Sequence, residues 1–77
     1  MKKVIVYSTN SCPYCVMAKK YLTENNVPFE NLDVSMNPEA LGEMKRKSGQ
    51  MGVPVIDIEG KIIIGFNKDA IARELSL

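Results

Sequence analysis

No histidine occurs in this chain of 77 residues, and only two cysteines do. A structural zinc site takes four ligands, most often cysteine and histidine, so two thiols argue against one within a single chain. No imidazolium is present to activate a thiol. Two cysteines also fall short of a secreted mini-domain, which usually carries more bridges. A bridge across two intervening residues closes too short a loop to constrain much chain entropy. Charge of one sign is lacking: ten basic and nine acidic residues give a net charge of +1. That balance favours neither nucleic acid nor an anionic membrane. No stretch approaches the ~20 apolar residues of a membrane span. Met1-Lys2-Lys3 resembles the start of a signal peptide. The apolar run after it ends at Tyr7, short of the roughly 7–15 residues of a secretory core. These absences point to a cytoplasmic chain, expected to be a monomer of one domain, residues 1–77. Its core is thin, because a chain this short buries only ~60% of its unfolded surface.

What is present centres on Thr9-Asn10-Ser11-Cys12-Pro13-Tyr14-Cys15, which holds both cysteines. An apolar, β-branched run precedes it and reads as a strand over residues 2–7, buried on both faces. A helical pattern over residues 16–25 follows. Pro13 suits the first helical position, where its missing N–H costs nothing, and that makes Cys12 the N-cap. Cys15, Ala18 and Leu22 form an inward stripe with Met17 and Tyr21 beside it, while Lys19 and Lys20 point outward. Asn25-Asn26 ends the helix in the left-handed conformation.

Residues 27–34 read as a second strand, which completes a right-handed βαβ unit. Asn37-Pro38-Glu39 starts a second helix with a cap, a proline at the first position and an acid for the dipole. Leu41 and Met44 face inward, Glu43 and Lys47 are more exposed, and Gly49 closes the helix. Residues 53–58 and 61–64 form an antiparallel hairpin around Glu59-Gly60. Asn67 caps a last helix over 68–75, with Ile71 and Leu75 inward. The order βαβαββα describes an α/β domain, one four-stranded mixed sheet flanked by three helices.

A thiol pair between a strand and a helix suggests disulfide exchange, which needs a thiolate, a second thiol and access for a partner sulfur. A helix N-terminus stabilises an anion by ~0.3–1 kcal/mol and up to ~2 in favourable geometry. Backbone N–H bonds to the sulfur add to that. Cys12 is therefore placed to attack. Cys15, on the inward stripe, is placed to resolve the mixed disulfide, since burial holds a thiol protonated. Tyr14 lies in the exposed half of the loop, where its ring can lean on a substrate. The alternative outside this class is a Cu(I)-binding module. Copper chaperones of this size also carry C-x-x-C at a strand–helix junction, but their order is βαββαβ.

With Cys-Pro-Tyr-Cys, the βαβαββα order and Val53-Pro54 together, the chain resembles the glutaredoxins, within the thioredoxin fold. The resemblance spans essentially the whole chain. It implies a thiol–disulfide oxidoreductase in electron transport and cell redox homeostasis, with no bound cofactor. Glutathione would be co-substrate, and disulfide-containing proteins would be partners. It also implies that Val53-Pro54 is a cis peptide facing Cys12, with the Val53 backbone pairing to glutathione or peptide. The region after the fourth strand, here Gly65-Phe66-Asn67-Lys68, would hold the γ-glutamyl end of glutathione. Asn67 and Lys68 supply a helix N-terminus and a cation there. Gln50 and Lys47 would reach the glycine carboxylate. The chain departs from the family at Thr9, where a basic residue is common, at Gly52, and at the single Gly65. Asp33-Val34-Ser35, Asn37-Pro38-Glu39-Ala40 and Gly65-Phe66 resemble instead the redoxins of ribonucleotide reductase. Those are recharged by a thioredoxin-reductase-type flavoenzyme.

Overall fold

The computed structural model describes residues 3–77. Element order is β1 (Val4–Ser8), α1 (Pro13–Glu24), β2 (Glu30–Asp33), α2 (Pro38–Ser48), β3 (Val55–Ile58), β4 (Lys61–Ile64) and α3 (Lys68–Leu75). The sheet has four strands in the order β2-β1-β3-β4. β1 and β2 are parallel, with Tyr7 opposite Leu32. β3 runs antiparallel to β1 and to β4. Val6, Ile56 and Ile63 line up across the sheet, as do Ile5, Asp57 and Ile62. These two rows point to opposite faces, because strand side chains alternate.

One face carries α1 and α3. Val4, Val6, Ile56, Ile58 and Ile63 pack there against Ala18, Leu22 and Ile71. The other carries α2, where Ala40 and Met44 meet Tyr7, Val34 and Val55. Burial on both faces explains the nearly continuous apolar runs of β1 and β3. The helix boundaries match the capping residues that announce them. The Asn37 and Asn67 side chains each accept a backbone N–H from the first turn of their helices, from Ala40 and Ala70. Gly49 ends α2 at φ 72°, in the left-handed region.

The strands differ from expectation at their starts. Lys2, expected in the first strand, lies outside the described residues, and β1 runs one residue further, to Ser8. β2 begins at Glu30 rather than 27, because the N–H of Val27 bonds back to the Leu22 carbonyl of α1. β3 begins at Val55 rather than 53, since Pro54 has no N–H to give the ladder. Met17 is 47% exposed and does not join the stripe of Cys15, Ala18 and Leu22.

Candidate functional site

β1 delivers the chain to Thr9-Asn10-Ser11, and α1 starts at Pro13. Between them Cys12 has extended backbone, φ −105° and ψ 109°, and is the N-cap. Its sulfur stands where a serine or aspartate oxygen usually caps a helix. The Cys15 N–H donates to it at 3.2 Å, and the Cys12 carbonyl accepts from the Val16 N–H at 3.2 Å. The half-buried Cys12 sulfur thus faces an N–H donor and the positive end of the α1 dipole. Cys15 is fully buried. Burial, and then the hydrogen bond with Cys12, push its thiol up to about 11, against the pull of the Thr9 backbone.

Across from the thiols, Val53-Pro54 is cis. The Cys12 thiol donates to the Val53 carbonyl at 3.7 Å. The Pro54 carbonyl accepts from the Gly65 N–H at 2.8 Å. Three segments therefore meet at one end of the sheet: the dithiol loop, the cis-proline loop and the turn after β4. Both thiols are free. Tyr14, between them in sequence, is 62% exposed.

Two expected contact residues are engaged elsewhere. The Gln50 amide donates to the Gly52 carbonyl at 3.0 Å, and its oxygen accepts from the Gly52 N–H at 2.6 Å. It braces the loop ahead of Pro54. Lys47, expected at the edge of a glutathione site, turns toward the sheet instead. Its ammonium donates to Asp57 at 2.7 Å, to Tyr7 at 2.8 Å and to Glu43 at 2.9 Å. Burial disfavours that charge, but the bonds from Asp57, Tyr7 and Glu43 outweigh it and raise the Lys47 pKa. Asn67 caps α3, and the Lys68 ammonium sits 5.4 Å from the centre of the Tyr21 ring. Phe66 meets that ring edge-on at 6.0 Å. Met17, Tyr21, Phe66 and Lys68 border a hollow of about 260 Å³.

Asp57, on the α2 face of the sheet, is a residue that the sequence patterns above do not single out. It is 7% exposed, in the middle of the strand Val55-Ile56-Asp57-Ile58. An acid inside an apolar run that is buried on both faces has to find a partner. That rule signals a buried pair, though the partner ten residues earlier shows only in three dimensions.

Residues 4–63 match the sequence profile of the glutaredoxin family. A glutaredoxin-like protein of 8.6 kDa from the rubredoxin operon of Clostridium pasteurianum is 46% identical, over 88% of this chain and 91% of that one. A glutaredoxin of Pseudomonas aeruginosa is 38% identical, over 96% of this chain and 87% of its own length. Among solved structures, the glutaredoxin-like NrdH-redoxin of Escherichia coli superposes with a TM-score of 0.82 at 30% identity, covering 92% of each chain. The profile spans the dithiol loop, the cis-proline loop and all four strands up to Ile63, and the chain accordingly belongs to the glutaredoxin family, thiol–disulfide oxidoreductases of the thioredoxin fold.

Proposed function

We propose that this chain reduces protein disulfides, Cys12 attacking and Cys15 resolving, and that a flavoprotein dithiol reductase recharges it. The observation that carries the first half is the contrast between the two thiols. Cys12 is accessible, with an N–H on its sulfur, while Cys15 is buried and pushed up to about 11. Ionised Cys12 attacks one sulfur of the substrate disulfide, and the other sulfur leaves as a thiolate. Cys15 passes its proton to that leaving group and attacks Cys12. The Cys12–Cys15 disulfide forms and the second substrate sulfur departs as a thiolate, which takes a proton from water. Two electrons have moved from the pair to the substrate, and the reductase returns them.

The choice of donor rests on where the polar side chains point. Glutathione carries two carboxylates, and strong recognition of them needs cations or N–H groups. Lys47 is bound to Asp57, and Gln50 to Gly52. Thr9 offers no charge. The solved NrdH-redoxin is described as having a thioredoxin-like activity profile, which supports the same assignment here.

Glutathione is the second reading, favoured by the α3 N-terminus beside Gly65-Phe66 and by the Lys68 cation. Two coupled assays on a protein disulfide separate the readings. One uses NADPH with thioredoxin reductase, the other NADPH with glutathione and glutathione reductase. Turnover in the first alone is expected. Turnover in the second that weakens several-fold in KM with Lys68→Glu, Asn67→Ala, at unchanged Cys12 alkylation, makes glutathione the donor. Activity in neither overturns the function.

A further inference from the structure

The site leaves one cluster of charged groups unexplained. Tyr7, Glu43, Lys47 and Asp57 meet on the α2 face of the sheet. Tyr7 is fully buried and Asp57 nearly so, while the Lys47 and Glu43 side chains keep 29% and 38% of their surface in water. Taking charges out of water is costly, and apolar replacements of similar volume are often as stable or more so. Stability alone is therefore a weak reason for such a cluster. Its place in the fold suggests another. Lys47 lies in the last turn of α2, and Asp57 is the third residue of β3. The chain between them includes Gln50, Val53 and Pro54. Tyr7, the third anchor, lies in β1 opposite Val55, one residue before the strand ends toward the dithiol loop. The ammonium thus ties α2 to both strands that frame the site. Ser48 and Gln50 continue the brace: the Ser48 hydroxyl donates to the Met44 carbonyl and accepts from the Gln50 N–H, and Gln50 holds both backbone groups of Gly52. The next residue is Val53, whose carbonyl faces Cys12.

We propose that Lys47 is a positioning residue, clamped by Asp57 and Tyr7 so that the 49–54 loop presents Val53 to Cys12 and to the incoming disulfide. It touches neither sulfur and acts through the backbone. The proposal rests on the disulfide-reductase reading for its substrate, though not for its effect on Cys12. Asp57 lies on the sheet face opposite the Cys15 side, which separates the cluster from proton transfer at that thiol.

The test is the paired variant Lys47→Met, Asp57→Asn. It removes both charges together, and the introduced carboxamide keeps an oxygen for the Gly60 N–H, whose bond Asp57 now accepts at 2.8 Å. Two quantities are read on the folded protein: the rate of Cys12 alkylation by iodoacetamide from pH 5 to 9, and KM against kcat on a protein disulfide. KM is expected to rise roughly tenfold, within the ~10²-fold that a misplacement of about 1 Å can cost. The alkylation profile is expected to shift along the pH axis, with the far-ultraviolet circular dichroism unchanged. Lys47→Arg, which keeps the charge, is expected to stay close to the parent in both. Tyr7→Phe keeps the packed ring and loses one anchor, so a smaller change of the same sign is expected. It decides the matter alone if the paired variant does not fold. A folded variant with the parental KM and alkylation profile overturns the proposal. A parent that reduces no protein disulfide overturns the proposed function instead, and the alkylation profiles then decide the role of Lys47.

Discussion

At the scale of single residues, the two thiols differ by environment alone. Cys15 sits three residues after Cys12, one on the inward stripe and the other at the helix cap. Cys12→Ser is expected to abolish disulfide reduction. Cys15→Ser is expected to stop at a mixed disulfide with the protein substrate, visible by mass spectrometry as a covalent adduct. Equal alkylation rates of the two parent thiols at pH 6 would contradict these roles. The Cys15 thiol also predicts a pH dependence of stability. Its folded value lies above its ordinary one, so the folded protein holds that proton more tightly than the unfolded chain. The resulting stabilisation is complete at neutral pH and is lost as pH rises from about 9 through about 11. It amounts to on the order of 3 kcal/mol at most. Tyr7 and Lys47, both raised, push in the same direction. Urea midpoints of the reduced protein are expected to fall steeply above pH 9, and less steeply in Cys15→Ser.

At the scale of elements, the helices were readable because their ends are written in local chemistry. Asn37-Pro38 and Cys12-Pro13 each place a capping side chain before a proline, and each begins a helix. Asn37→Ala is expected to cost about 1 kcal/mol. For a domain of this size that lowers Tm by roughly 4–8 °C in a calorimetric scan. Strand starts were less readable. Val27 and Val53 have the residue type of strands, but a ladder exists only where a neighbouring strand offers partners. Val27 instead bonds to the end of α1, and Val53 belongs to a turn. In the site, the cysteine pair and Val53-Pro54 were legible, because a loop motif and a dipeptide carry them. The destinations of Lys47 and Gln50 were not. A long polar side chain at a helix end can face solvent or sheet, and Asp57 decides the direction from another strand.

At the scale of the molecule, the sheet divides a small interior into two packed layers, and neither has slack. Leu22→Ala, in the layer under α1 and α3, is expected to cost ~2–5 kcal/mol. A chain of this length holds roughly 4–12 kcal/mol in all. The urea midpoint is expected to fall by roughly 1–3 M at an m-value of ~1–3 kcal/mol/M. The same tightness bears on the carbonyl of Val53. In the reduced protein it receives the hydrogen of the Cys12 thiol. Once that hydrogen leaves, the carbonyl loses a donor and faces an anion. The backbone N–H of a docking strand then becomes its natural replacement, and docking in turn favours the hydrogen's departure, because such coupling is reciprocal. Two inert variants make this visible: Cys12→Ser keeps a hydrogen for the carbonyl, and Cys12→Ala does not. The alanine form is expected to bind an extended substrate peptide more tightly in titration calorimetry. By this expectation the Val53 carbonyl stays engaged while Cys12 keeps its hydrogen and is open to a substrate N–H once it does not.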